Sequence, residues 1–392
     1  MFVADQSSAD PVALEAAADA RAAAGDLAGA RDLLQRAAAL GSGRVELWLK
    51  LAGICRGAGD LPAALNAVAG ALRIEPLGFL PLLLKASLLD QQGMTAEAGE
   101  TYGFALAQLP ASPPPGLAGA IAQARKAHDA HVARKSDGLA VAQAAAGAAL
   151  NAREEARLAR FRSNVVRRTR PWHAEPTHFH YPGLREREYH DREDFPWLAT
   201  LEAATDAITE DFHRLMASER AELVPYVQYP DDVPLRQWAE LNHNRAWTAI
   251  HLVQNGETVE TNARHCPATM AVLDSLDQPN IPGRGPNAMF SLLTPGAHIP
   301  PHNGVSNARL VCHLPLIVPA GCWFRVGDDK RDWERGTAWV FDDTIEHEAM
   351  NGGDALRVIL IIDTWHPDLS AEERKAVGAV IAASDSAGTE GL

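Results

Sequence analysis

The chain is predicted to be an α + β multidomain protein, with helical repeats first and a β-rich domain of sandwich or barrel type second. Three observations predict this. A glycine-headed, Ala-rich motif returns every 34 residues within the first hundred. A proline-rich break and an Ala/Arg-rich stretch follow it. Beyond Trp247, short apolar runs alternate with Gly, Pro and Asn, the pattern of closely spaced strands. A length of 392 residues also exceeds one typical domain.

The repeats are "GDLAGARDLLQRAAAL" from Gly25, "GDLPAALNAVAGALRI" from Gly59 and "GMTAEAGETYGFALAQ" from Gly93. Small residues recur in register at Ala30, Ala64 and Ala98, and again at Ala37, Ala71 and Ala105, where two helices of a unit must approach closely. Pro76 and Pro110 close the second helix of successive units. This period and pattern resemble the tetratricopeptide repeat, a helix-turn-helix unit that buries its apolar face by stacking on its neighbours.

"ASPPPG" at 111–116 cannot continue a helix. From Leu117 to about Arg162 the composition predicts one or two long helices that cap or space the repeats. "FPWLATLEAATDAITEDFHRLMAS", apolar at helical spacing, predicts one helix. Five strands are expected in "AMFSLLTPG", "ARLVCHLPLIVP", "CWFRVG", "GTAWVFDD" and "LRVILIIDTW". The expected divisions are helical repeats over 10–110, a helical connector over 111–170, a β-domain over 171–375 and a tail over 376–392.

Hydrophobic residues make up 47% and charged ones 22%, an ordinary globular composition. The formal net charge of -14 and pI near 5.5 argue against nucleic acid as a partner, because neutralising phosphates needs a basic face. Seven arginines between Arg153 and Arg170 are the local exception and read as a solvated helix face leading into a linker. Cys55, Cys266, Cys312 and Cys322 form no CxxC pair, which fits a reducing compartment. The start lacks a secretory pattern, and no run of about 18 uncharged apolar residues occurs. A cytoplasmic protein without a membrane partner is expected.

Of the 15 histidines, most read as bland. His128 and His131 sit in the connector, and His173, His178 and His180 in a Pro-containing loop. His298 and His302 have the i, i+4 spacing of a helical metal pair, but the intervening "IPP" forbids helix. His302 lies in "PPHNGVSNARLVCH", and a second half of a site appears in "GTAWVFDDTIEHEAMN", where His347 opens a short strand 45 residues later. Arg357 enters the last strand after another ten residues. Two strand histidines followed by a basic residue is the order of jelly-roll Fe(II) oxygenases that consume 2-oxoglutarate. Two imidazoles leave cis positions on iron for a bidentate 2-oxo acid and O2, and an arginine pairs with the remote carboxylate. The usual carboxylate two residues after the first histidine is replaced by Gly304. Glu346 adjoins His347 but faces the other way on a strand, and Asp342 and Asp343 could orient a ligand imidazole or a water.

"PHxGxxNxRLxxHLxL", "FDDxxEHE" and "DxWHP" occur together in one order, and with "FHYPGL" and "FPWLATLEA" upstream the span 175–375 resembles the aspartyl/asparaginyl β-hydroxylase family. The resemblance implies a double-stranded β-helix of jelly-roll, cupin-like type that uses Fe(II), 2-oxoglutarate and O2. It implies His302 and His347 as the iron ligands, with glycine in the third place. It further implies that Arg357, Ser291, His313 and Trp247 hold 2-oxoglutarate. Arg309 is the expected contact for an anionic substrate. The family's RLRMH is here "RLVCH", so that a second arginine is Val311, and Asn242 stands near the place of another. Ala263 and Met270 replace a disulfide pair of the animal members.

The expected activity is hydroxylation of a peptide or protein side chain, with the repeats docking the partner. Alternatives are hydroxylation of a lipid acyl chain or a small amino acid, and a repeat scaffold carrying a silent β-domain.

Overall fold

The computed structural model describes residues 10–41, 43–218, 224–230 and 235–384. It divides into two compact units, 1–169 and 170–392.

The first unit is built from antiparallel helix pairs: α1 (Pro11–Ala23) with α2 (Leu27–Ala39), α3 (Val45–Gly57) with α4 (Leu61–Ile74), and α5 (Phe79–Gln91) with α6 (Thr95–Ala107). The repeat glycines make the turns. Gly25, Gly59 and Gly93 have φ of 84°, 78° and 79°, a left-handed conformation that glycine adopts without a Cβ clash. Asp26 and Asp60 then cap α2 and α4 by accepting from the Gly29 and Ala63 amides at 2.8 and 3.0 Å. The six in-register alanines are all buried, and the helices close over them. These are the stacked helical repeats expected of a tetratricopeptide-like domain.

The connector forms two helices, α7 (Ala118–Ala145) and α8 (Ala152–Val165). A Cβ on Gly99 or Gly103 of α6 would strike His131 or His128 of α7, and the Nδ1 of His128 donates to the Gly99 carbonyl at 3.0 Å. Both histidines are helix-packing residues.

In the second unit, the expected single helix is two, α9 (Leu198–Ala203) and α10 (Thr205–Met216), broken at Ala204. After β1 (Val224–Pro225), β2 (Trp247–Gln254), β3 (Glu257–Thr258), α11 (Glu260–Ala263) and α12 (Pro267–Leu273) come eight strands. They are β4 (Ala288–Leu293), β5 (His298–His302), β6 (Arg309–Ile317), β7 (Cys322–Val326), β8 (Asp329–Asp332), β9 (Trp339–Phe341), β10 (His347–Asn351) and β11 (Arg357–Trp365). One sheet has the order β1-β2-β4-β11-β6-β9 with β3 on β2, and the other has β5-β10-β7-β8. In β4–β11 the strands alternate between the two sheets except at the paired neighbours β7 and β8, an order consistent with a jelly roll.

The large sheet is covered on both faces, so its strands read as unbroken apolar runs. Leu310, Cys312, Leu314 and Leu316 of β6 and Val358, Leu360 and Ile362 of β11 pack against Leu201, Ile208 and Phe212 of the helices. The alternate residues of the same strands, Val311, Ile359 and Ile361, belong to a second core between the sheets. At the end expected to be a tail, α13 (Ala371–Ala383) starts with a Ser370–Glu373 capping box and buries Val377 and Ile381. The four cysteines are free and buried. Among the described residues no helix is long and apolar enough to cross a membrane.

Ala64→Leu places extra volume at a fully buried helix contact and is expected to cost about 1–3 kcal/mol. Denaturant unfolding followed by far-UV dichroism reads it, and an unchanged midpoint would contradict the close approach of α3 and α4.

Candidate active site

His302 ends β5 and His347 begins β10, and the two are direct cross-strand partners. Opposed residues of an antiparallel pair project to one face, here into a cavity of about 300 Å³ between the sheets. Their ring centroids are 4.1 Å apart. Two imidazoles at right angles on one metal, with N–metal near 2.1 Å, would sit roughly 4.5 Å apart. The Nδ1 of His302 donates to the Pro300 carbonyl at 2.8 Å and that of His347 to the Ile345 carbonyl at 3.1 Å. This tautomer leaves each Nε2 with its lone pair. Burial pushes His302 well below the usual imidazole range and His347 down to about 4, so both rings are neutral at pH 7. Among the described residues no three His, Cys, Asp or Glu side chains gather as a metal cage.

The loops carrying the two histidines are tied together. The Gly304 amide donates to the Asp343 carbonyl at 2.7 Å, and Asn303 Nδ2 to the Thr344 carbonyl at 2.8 Å. A Cβ on Gly304 would collide with the Asp343 carboxylate. The glycine at the usual carboxylate position is therefore a packing requirement, since an acid from the neighbouring loop fills that space. Asp343 is buried, its Oδ1 has no partner among the described residues, and its Oδ2 pairs with Arg309 at 3.0 Å. Asp342 turns back to accept from the Thr344 amide at 2.9 Å, and burial raises it to about 7. Glu346 pairs with Arg325 at 3.0 Å, so it does not replace the missing carboxylate.

Arg357, 2% exposed, lies elsewhere in the same cavity. Its Nη1 reaches Ser291 Oγ at 3.3 Å, and that hydroxyl also accepts from Trp247 Nε1 at 3.0 Å. Its Nε and Nη2 have no partner among the described residues, nor does Nδ1 of His313. Burial without a counter-ion pulls the guanidinium down to about 9. His313 is pushed well below its usual range, first by burial and then by the Arg357 charge. A buried cation with spare donors is a receptor for a carboxylate.

The cavity thus brings together His302, His347, Ser291, His313, Arg357, Trp247 and Arg309. Arg309 is not a free cation, since Asp343 and Asp363, the latter at 3.5 Å, flank it. The anionic-substrate contact expected of it lacks support for that reason. Val311 lines the wall, whereas Asn242 braces the Tyr229 backbone at 2.7 and 3.1 Å outside the cavity. His298 pairs with Glu348 at 2.8 Å.

Residues 202–367 match the family described as aspartyl/asparaginyl beta-hydroxylase. This part of the chain belongs to the aspartyl/asparaginyl β-hydroxylase family. The mouse aspartyl/asparaginyl beta-hydroxylase is 30% identical over 186 residues, 47% of this chain and 25% of that protein. Human aspartate beta-hydroxylase domain-containing protein 2 is 39% identical over 142 residues, 35% of this chain and 38% of that one. The ornithine lipid ester-linked acyl 2-hydroxylase of Rhizobium tropici is 33% identical over 197 residues, 50% of this chain and 66% of that one. The match thus spans a quarter to about two thirds of these relatives' own length.

Reading the residues alone missed three contacts. Tyr226 stacks on Trp247 with centroids 3.8 Å apart, Trp333 lies 5.0 Å under Arg357, and Asn287 holds Asp363. Tyr226 and Trp333 stand outside any motif, and Asp363 of "DxWHP" gave a signal without a role.

Gly304→Ala is expected to cost about 1–3 kcal/mol by forcing the Asp343 carboxylate away. In an Asp343→Ala background the same change should cost less than about 0.5 kcal/mol. Urea unfolding of the four proteins measures the coupling, and additive costs would contradict the contact.

Proposed function

We propose that the second unit is a hydroxylase that uses Fe(II) and 2-oxoglutarate, with residues 171–375 as its catalytic domain. The observation that carries the reading is Arg357, a buried cation with two spare donors in the cavity that also holds a pair of neutral, carbonyl-tethered histidines. The residues fit both groups. His302 and His347 would hold the metal, while Arg357 and Ser291 would take the remote carboxylate of the 2-oxo acid, with His313 and Trp247 beside it. When bound, iron and 2-oxoglutarate together activate O2, giving succinate and carbon dioxide and inserting hydroxyl into a substrate C–H bond.

The chain's own part is positioning. The backbone carbonyls of Pro300 and Ile345 fix the imidazole tautomers, so the ligand lone pairs are set before anything binds. Asp343 keeps Oδ1 without a partner among the described residues, a spare acceptor in the cavity wall. Tyr226 and Trp247 wall the cavity and exclude bulk water. The repeats of residues 10–110 would dock a peptide or protein substrate, with 111–170 as connector. A second reading, hydroxylation of a lipid acyl chain, is favoured by the likeness to the Rhizobium tropici protein and by the apolar wall of Met289, Val311 and Ile361.

His302→Ala and His347→Ala are expected to abolish iron-dependent succinate release. Arg357→Met should weaken 2-oxoglutarate at least about 30-fold, the equivalent of about 2 kcal/mol, without lowering the melting temperature. Removing an unpaired buried charge relieves desolvation. Unchanged affinity, measured by calorimetry, would reject the assignment of Arg357.

Metal binding should also release almost no protons from His347 at pH 6.5. Its ordinary imidazole pKa is 6.5 and the fold lowers it to about 4, so the ring is already deprotonated there. Calorimetry in two buffers of different ionisation enthalpy reads the proton count, and release of about half a proton per histidine would contradict the lowered value.

A further inference from the structure

Among the described residues the charged side chains lining the cavity are Arg357, Arg309, Asp343 and Asp363, and they fall into two sets. Arg357 begins the inward face of β11 with its donors spare, and Asp363 lies six residues further along the same strand, on the same face. At the Asp363 end, a single guanidinium serves two carboxylates. Arg309 Nη1 is 3.0 Å from Asp343 Oδ2 and 3.5 Å from Asp363 Oδ1. Asp363 Oδ2 further accepts from the Asn287 amide at 2.7 Å and from Asn287 Nδ2 at 3.0 Å, which fixes it in place. Its neighbour across β6 is Val311, which adds no charge.

We propose that this end of the cavity excludes carboxylates and receives a substrate group that donates hydrogen bonds and carries no negative charge, an amide or an ammonium. The inference rests on the hydroxylase reading and deepens it by naming the chemistry at the target position.

Two observations carry it. Among the described residues the one cation at this end is already shared by two acids, so an incoming carboxylate would be a third carboxyl group on a single guanidinium. Separately, Asp343 Oδ1 is a buried acceptor without a partner among the described residues, and a donor from the substrate satisfies it where a carboxylate cannot. Arg309 Nε, a donor without a partner among the described residues, is compatible with the carbonyl of an amide. Filling the Arg357 end with a dicarboxylate changes none of this, because Arg357 is then neutralised as well.

The test uses the full chain loaded with Mn(II) and 2-oxoglutarate at pH 8, and it needs no turnover. Binding of 2-oxoglutarate is measured first, by calorimetry; if it fails, the hydroxylase reading falls and this inference with it. The N-acetyl methylamides of aspartate, asparagine and lysine are then titrated, and paramagnetic broadening of their protons reports proximity to the metal. The asparagine or lysine derivative is expected to bind at least about tenfold more tightly than the aspartate derivative, a discrimination within reach of one unpaired buried polar group. Asp363→Asn, which frees Arg309 from one acid, should raise affinity for the aspartate derivative. If 2-oxoglutarate binds but the aspartate derivative equals or exceeds the others, or all three behave alike, the inference is overturned while the hydroxylase reading stands.

Discussion

Cross-strand pairing of His302 with His347 is the constraint on which the rest of the second unit depends. Side chains alternate along a strand, so a slip of one residue between β5 and β10 would turn one imidazole out of the cavity. The register is held from several directions. A bulge lies between His347 and Ala349, and β7 pairs with β10 on its other side. The Gly304 and Asn303 bonds to the opposite loop lock the ends. The Thr177 amide adds a strap by donating to the Gly304 carbonyl at 2.9 Å. The core between the sheets, where Ile299, Phe324, Val326 and Ala349 meet Val311, Ile359 and Ile361, supplies the apolar burial that keeps this smaller sheet in place.

Around that pair the cavity stores unfavourable electrostatics. Among the described residues, a buried Arg357 with two idle donors, an unpartnered Nδ1 on His313 and a carboxylate with an idle oxygen all cost stability in the free protein. Burial lifts Asp363 to about 6 and holds Arg357 near 9, two departures caused by the same loss of solvation. Local rules broken in one place and obeyed elsewhere mark a site shaped for something other than folding. The repeat unit keeps closer to them, since its turn glycines, the Asp26 and Asp60 caps and its buried alanines sit where the helix pairs need them, with Arg31 Nε the buried donor of α2 that lacks a hydrogen-bond partner among the described residues.

Much of this was legible in the sequence, and the limits have physical causes. The repeat was readable because Gly, Ala and Pro act locally, each fixing its own turn, contact or stop. β6 and β11 were readable because burial on both faces makes long apolar runs. β5 was not, since "HIPPH" looks like a loop; its prolines are tolerated because β5 is an edge strand that forms no ladder on its outer side. β8, "DKRD", is all charge and is held by pairing to β7 and by Arg331 lying 3.6 Å over the Tyr189 ring. The positions of His302, His347 and Arg357 followed from strand order. The partners of Arg309 and the contact between Gly304 and Asp343 did not, because both join residues that only the closed fold brings together. The break at Ala204 and the helix α13 depended likewise on what they pack against.

The central claim is that one cavity joins a two-histidine metal pair to a buried arginine receptor for a 2-oxo acid. The most direct measurement is the visible absorption spectrum of the full chain with Fe(II) under anaerobic conditions, before and after addition of 2-oxoglutarate. A metal-to-ligand charge-transfer band on addition, missing in the Arg357→Met protein at the same concentration, is the result the account predicts. No band at saturating 2-oxoglutarate, with iron shown to be bound, would contradict it.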